Sequence, residues 1–483
     1  MRLAPIFLLI LAGILFGFQF LHLTTMALWH DEAFSGLLIQ YGLPEMMHRI
    51  ALDVHPPLYY LVLKIWAMVF TSSLFALRLF SFTFGALTIF ATYALAKKIT
   101  EKKSIALLSS ALLALSSFQI QYNLEARMYT LGTFFIVCSS IFLLQGLRRN
   151  EKKYWFLYAL FTSAALYTHY YTFFIACAQG LFLLYSIFKN ATIIRSVFFS
   201  FALVFISYIP WLPTFLKQLK QVEQSFWIPP MTIWSIPSTL LKMLTGVALP
   251  PERFAPLLVF GTLLIFASSI FAVKKLSNNP KKWLLPLALY IPFIGSIVLS
   301  LKTSIYLDRY FIFSLPFFFI LIASALLYTP NVFTKRLLIV TLVMGTFVSF
   351  PIFWHVLKPE QKPGMAGAAS YLNQRANPHD KIFVGSSFVY FTFKYYNNTS
   401  IAPLLYAPTK LQHYSGTALL SDNDIIKDFS RGVKNNDKVW TIDTTGFGNF
   451  QPQAPSSWIK KSEAIFPDVY DYRGSIIVRE YDI

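Results

Sequence analysis

Charge is scarce in this chain. Only 13% of its 483 residues are Asp, Glu, Lys or Arg, too few to coat a soluble globule of that length, and a soluble class is excluded. Acids are scarcer than bases, 22 against 41. Cysteine is nearly missing: Cys138 and Cys177 both fall in apolar runs. That excludes a disulfide framework and metal-site spacing, and leaves them as small buried hydrophobes. There is no low-complexity tract and no repeat at a fixed period. The first apolar stretch, residues 3–23, is longer than a signal-peptide core and no A-x-A cleavage site follows it, so it is read as a retained first span.

What the chain has is apolar length. Hydrophobic residues make up 56% of it, with a mean hydropathy of +0.55. Apolar runs near 20 residues recur, the length that crosses a bilayer core. The formal net charge is +19, which in a soluble protein would suggest nucleic acid. Here the bases sit in short clusters between apolar runs: Lys97, Lys98, Lys102, Lys103; Arg148, Arg149, Lys152, Lys153; Lys274, Lys275, Lys281, Lys282; Lys335, Arg336. That is the positive-inside pattern, so these loops are read as cytoplasmic and nucleic acid is set aside.

The expected architecture is an all-α polytopic membrane domain, residues 1–357, followed by a small C-terminal α/β domain, residues 358–483. The membrane part has about eleven spans plus interfacial helices: residues 3–23, 73–96, 105–121, 128–147, 154–168, 170–188, 196–215, 254–273, 283–301, 310–328 and 337–355. Residues 56–70 are apolar but short and carry Lys64. If they crossed, Lys97–Lys103 would land on the wrong face, so they are read as lying along the interface. The outward loops are then 24–72, 122–127, a tight turn at His169, 217–253 and 302–309. The loop 217–253 is rich in Trp and Pro and suits the headgroup level. In the tail, 380–385, 437–442 and 475–479 read as strands and 386–396 as a helix. An odd number of spans from a cytoplasmic N-terminus puts the tail on the outer face of the cell membrane.

On this topology the unusual polar residues gather at one membrane face. Asp31 and Glu32 follow Trp29-His30 in the first outward loop. They are a candidate general base and its neighbour; alternatively Asp31 caps a helix over 33–39 and Glu32 favours its dipole. Asp53 and His55 precede Pro56-Pro57-Leu58-Tyr59-Tyr60, where the prolines suit a helix start. His55 suits a phosphate, a hydroxyl or a metal. His55, His169 and a nearby carboxylate are one possible metal set, so a divalent metal stays open. Glu125 and Arg127, with Tyr129, end an outward loop: an interfacial ion pair, or an arginine for an anionic headgroup. His169-Tyr170-Tyr171 lie at a turn, and Asp308-Arg309-Tyr310 are again outward, where Arg309 has Asp308 as a ready partner. Ionisable residues repeated at one membrane face point to a shared site.

These groups, in this order and with Arg78 between them, resemble the GT-C glycosyltransferases of the protein-mannosyltransferase and lipid A aminoarabinose-transferase type (glycosyltransferase family 39-like). The likeness covers most of the membrane part, and the tail resembles the variable outward domain such proteins carry. It implies a membrane glycosyltransferase that moves a sugar from a polyprenyl-phosphate donor to an acceptor hydroxyl on a glycan, lipid or protein. Asp31 would be the base and Glu32 its support. Arg127 and Arg309 would meet the leaving phosphate. His55, Tyr129, His169, Tyr170, Tyr171 and Tyr310 would line the sugar or phosphate pocket, with Asp53, Arg78, Glu125 and Asp308 supporting. One base opposite a leaving group implies inversion, and no cofactor is required because arginines supply the positive charge. The rival is a transporter or flippase for a lipid-linked or anionic substrate; transporters hold charges near the midplane rather than at span ends. A non-catalytic scaffold leaves Asp31-Glu32 without a task.

Overall fold

A computed structural model describes residues 3–224, 227–276, 280–429, 433–434 and 437–483. Along the chain come helices α1 (Leu3–Leu21), α2 (His30–Leu38), α3 (Leu43–Leu52), α4 (Leu58–Phe70), α5 (Leu74–Thr100), α6 (Lys103–Leu115), α7 (Ser117–Asn123), α8 (Tyr129–Arg149), α9 (Lys152–Leu166) and α10 (Thr172–Lys189). Then follow α11 (Ile194–Tyr208), α12 (Leu212–Gln224), α13 (Ser235–Thr245), α14 (Pro251–Lys275), α15 (Leu284–Ser300), α16 (Leu315–Tyr328) and α17 (Val332–Leu357). The tail adds α18 (Gly364–Asn373), strand β1 (Lys381–Val384), α19 (Ser387–Tyr396), β2 (Leu404–Tyr406), β3 (Ile425–Ile426), β4 (Lys438–Thr444), β5 (Ile459–Pro467) and β6 (Ser475–Asp482). The chain is an all-α polytopic membrane domain with a small C-terminal α/β domain.

Among the described residues eight helices are long and apolar enough to cross a bilayer, nine if the pair α6–α7 counts as one span. That pair is bent by 59°. Ser116 breaks it by leaving the helical region, and its hydroxyl restarts the chain by accepting from the Gln119 amide at 3.4 Å. The short α4, 13 residues, reaches only about 20 Å against a core of about 30 Å. The stretch 217–253 is less of a loop than its prolines suggested: α12 runs on to Gln224 and α13 spans Ser235–Thr245. Each is amphipathic, so burying one face stabilises a helix that composition alone conceals.

The chain divides into two compact units, residues 1–21, 55–59 and 78–353, and residues 22–54, 60–77 and 354–483. In the first unit, helix ends sort by chemistry. Lys98 feels the charges of Arg148, Arg149, Lys281 and Lys97, so three basic clusters meet at one end. Lys102 lies 4.2 Å over the Tyr328 ring at the start of a fourth. α8 leads from there to Tyr129, about 31 Å away at 1.5 Å per residue. Polar side chains within the bundle are paired: Gln119 Nε2 donates to Asn123 Oδ1 at 2.8 Å, and Asn123 Nδ2 to Gln19 Oε1 at 2.9 Å. Gly85 makes room for this ladder, since a Cβ there would stand 2.0 Å from Asn123 Oδ1. In the second unit the sheet runs β3-β2-β1-β4-β6-β5. The first four strands pair in parallel and β6 and β5 antiparallel. Phe383, Val439, Trp458 and Tyr481 are at its core.

Candidate active site

In the first unit the polar residues meet at the end away from the basic clusters. The Arg127 amide donates back to the Glu125 carbonyl at 2.8 Å, making a tight turn before α8. Ser81 of α5 fixes that turn by donating its hydroxyl to the Arg127 carbonyl at 3.3 Å. Arg127 is 3% exposed, and its Nη2 lies 3.3 Å from His55 Nε2. Arg78, 2% exposed, is buried in the same unit. The Leu58 amide donates to the Tyr167 carbonyl at 2.9 Å, which ties the His55-Pro56-Pro57 segment to the turn between α9 and α10.

His169 occupies that turn. Its ring centroid is 4.8 Å from Tyr310, 5.8 Å from Tyr129 and 6.4 Å from His55. Tyr171 packs on Tyr310 at 4.9 Å. Burial pushes the His169 imidazole well below its usual range, and the charges of His55, Arg127 and Arg309 push it further. The ring is therefore neutral. Its Nδ1 accepts from the Tyr171 amide at 3.1 Å, so the ring proton sits on Nε2 as a donor. Two guanidiniums, a neutral imidazole donor and tyrosines make a site suited to an anionic, oxygen-rich group.

Other expected members have settled duties. Tyr170 accepts from Trp211 Nε1 at 2.9 Å and donates to Gln218, and Gln218 Nε2 reaches the His55 carbonyl at 3.5 Å. Asp308 pairs with Lys242 at 2.7 Å, a partner the sequence reading passed over. The signal was there: a lysine within an outward loop runs against the charge rule. Arg309, half-buried, has its guanidinium 5.9 Å over the Trp227 ring. Among the described residues no three His, Cys, Asp or Glu side chains come together as a metal ion would need. His55 and His169 share their surroundings with a guanidinium instead, a donor set that does not fit a divalent cation.

The second unit holds Asp31, Glu32 and Asp53. Trp29 rather than Asp31 is the N-cap residue of α2, because its backbone is extended and the helix begins at His30. Glu32, three residues on, folds back so that its Oε2 accepts from the Trp29 amide at 3.3 Å, the reciprocal half of a capping box. Glu32 is buried by this, while Asp31 in the same first turn stays half-exposed. Asp53 ends α3 and lies near His413, whose imidazole is pushed down by burial against the pull of the Asp53 carboxylate. The other end of α2 is held by Lys64, whose Nζ donates to the Ile39 and Tyr41 carbonyls at 2.7 and 2.9 Å. This is the favoured chemistry for a helix C-terminus.

Residues 54–213 match the family model described as dolichyl-phosphate-mannose-protein mannosyltransferase. None of the curated proteins compared matches the chain in sequence. Among solved structures, ArnT from Cupriavidus metallidurans bound to undecaprenyl phosphate is similar over 99% of this chain and 98% of its own, with a TM-score of 0.66 at 15% identity. The same protein in the apo state gives 0.63 at 13% identity, covering 98% of this chain and 97% of its own. The Archaeoglobus fulgidus oligosaccharyltransferase tethered with an acceptor peptide gives 0.52 at 12% identity, covering 83% of this chain and 64% of its own. The likeness to ArnT spans the membrane helices and the α/β tail alike. This chain is thus a multi-pass membrane protein with the fold of ArnT.

Proposed function

We propose that this chain transfers a hexose or pentose from a polyprenyl-phosphate carrier to an acceptor hydroxyl at the outer face of the cell membrane. The observation that carries the reading is the group at the polar end of the first unit: Arg127 and Arg309 beside a neutral His169 whose Nε2 offers a proton. A phosphate leaving from the anomeric carbon is already acidic and needs no general acid. It needs cations and donors where its charge grows, and these residues supply them. The likeness to ArnT supports the lipid half of the proposal, since that protein is bound to undecaprenyl phosphate.

The acceptor half needs a base, because a sugar or protein hydroxyl ionises far above pH 7. Asp31 is assigned that role, and Glu32 supports it by capping α2. The acceptor oxygen attacks the anomeric carbon, the bond from that carbon to the phosphate oxygen breaks, Asp31 takes the hydroxyl proton, and polyprenyl phosphate leaves with the bonding pair. A single displacement inverts the anomeric centre. Arginines supply the charge that a metal supplies elsewhere. The acceptor is a glycan, lipid or protein of the cell envelope.

The test incubates the full chain in lipid nanodiscs with a panel of undecaprenyl-phosphate-linked hexoses and pentoses plus a cell-envelope extract, and measures release of undecaprenyl phosphate. Asp31→Asn should lower release at least ~100-fold with undecaprenyl-phosphate binding intact, whereas Arg127→Ala should lose both. Glu32→Gln, which keeps the cap, should retain most activity. Native release from Asp31→Asn would remove Asp31 as the base. Lipid movement without bond cleavage would favour the flippase.

A further inference from the structure

The second unit does more than carry Asp31 on a helix. Leu28, Trp29 and His30, just before Asp31, are each gripped by a different side chain of the α/β tail, the first and third from α19. The Leu28 amide donates to the Tyr396 hydroxyl at 3.0 Å. The Trp29 ring lies 5.0 Å from the Arg473 guanidinium. The His30 ring sits 5.4 Å from Phe388 and 5.5 Å from Phe391, side chains one turn apart on α19. Further along, Gly36 lets α2 approach α19 so closely that a Cβ would stand 3.0 Å from the Tyr395 ring.

The gripping residues are themselves fixed. Arg473 is buried, 3.7 Å from Asp468 and 4.6 Å over the Tyr470 ring. Phe388 stacks on Phe447 at 5.2 Å with an interplanar angle of 11°. α19 is tied on its other side, where the Tyr390 hydroxyl donates to Asp424 at 2.8 Å and Lys394 pairs with the same carboxylate at 3.1 Å. Against burial, which raises it, these partners and Ser421 hold Asp424 down to about 2, so the anchor is charged at any working pH. A segment of three residues thus meets a hydrogen bond, a cation over an indole and an aromatic slot.

We propose that the α/β tail is the positioning scaffold of Asp31, with Tyr396, Arg473, Phe388 and Phe391 as positioning residues. The proposal rests on the reading of Asp31 as the base. A proton acceptor helps only when held within hydrogen-bond reach of the hydroxyl, and an error of about 1 Å costs on the order of a hundredfold in rate. A helix of nine residues is short and marginal by itself, so a group on its first turn needs support from outside to be held still. The tail supplies the rigidity from outside.

The experiment uses the full chain in nanodiscs with Tyr396→Phe, which removes one hydroxyl, and Arg473→Lys, which keeps the charge but not the plane. Lys460→Ala on the exposed side of β5 is the control. Two readouts are taken: hydrogen exchange of residues 28–38, and turnover of the undecaprenyl-phosphate-linked sugars described above. Tyr396→Phe and Arg473→Lys should speed exchange at 28–32 and lower kcat about ten- to hundredfold. KM for the donor and undecaprenyl-phosphate binding should not change. In an Asp31→Asn background the same changes should cost nothing further, because they act through Asp31. Unchanged exchange, or kcat equal to the control while Asp31→Asn is dead, overturns the scaffold and leaves the base assignment standing. Native turnover by Asp31→Asn overturns both.

Discussion

At the scale of the residue, His169 and Glu32 illustrate how environment assigns roles that residue type leaves open. His169 is kept neutral by burial and by the Arg127 and Arg309 guanidiniums, with its proton directed to Nε2. The consequence for stability has a definite sign. The folded imidazole titrates below the ordinary value of 6.5, so at pH below about 6.5 the unfolded chain takes up a proton that the folded protein refuses. Stability is then fully present above that pH and falls as the pH drops. Between pH 7.5 and 5.5 the melting temperature in detergent should fall more for the native chain than for His169→Gln, measured by intrinsic fluorescence. Equal slopes would mean the ring is not held neutral. The sequence made His169 conspicuous by its place at an outward turn, but its protonation state comes first from burial and then from neighbours such as Arg127, far away in the chain. Glu32 was conspicuous beside Asp31, yet its task depends on the helix starting at His30. A start one residue earlier would have put Asp31 instead of Glu32 at the third helical position, where a carboxylate folds back on the cap.

At the scale of the element, the close contacts are the informative ones. Gly85 on α5 faces the amide ladder of Gln119, Asn123 and Gln19, and an added methyl would collide with Asn123. Gly85→Ala should destabilise the chain by ~1–3 kcal/mol, the range for overpacking a tight contact. Removing the obstacle in Gly85→Ala with Asn123→Ala should recover part of the loss, and a thermal-stability cycle reads the coupling. Strict additivity would mean the ladder does not press on α5. Helices were legible wherever an apolar run had polar ends; α4, expected to be short for a span, has 13 residues. β1, β4 and β6 were legible as apolar runs such as Lys381-Ile382-Phe383-Val384. β5 was not, because it is an edge strand whose exposed positions carry Lys460, Lys461 and Glu463, a common protection of sheet edges. β2 and β3, of three and two residues, are too short for any period to register.

At the scale of the molecule, charge carries the topology. The basic clusters meet at one end of the first unit, as Lys98 among Arg148, Arg149 and Lys281 demonstrates, and the positive-inside rule predicts that this end faces the cytoplasm. With Cys138 and Cys177 replaced by serine, an impermeant maleimide applied to intact cells should label Lys460→Cys, and should label Lys153→Cys only after permeabilisation. The reverse pattern would place the chemistry in the wrong compartment for an outward glycan. The composition change near Lys358 made a small C-terminal α/β domain legible. It did not foresee that residues 22–54 and 60–77 fold with the tail, because partners hundreds of residues apart leave no local signal.

That distance has a consequence for how the protein comes to be made. The partner of the Leu28 amide lies 368 residues downstream, and Arg473 later still. During synthesis the apolar helices can enter the bilayer one after another while the segment around Asp31 has nothing to rest against. On the proposed reading, a nascent chain would stay inert until the ribosome has delivered its last strands, so that competence arrives only with completion.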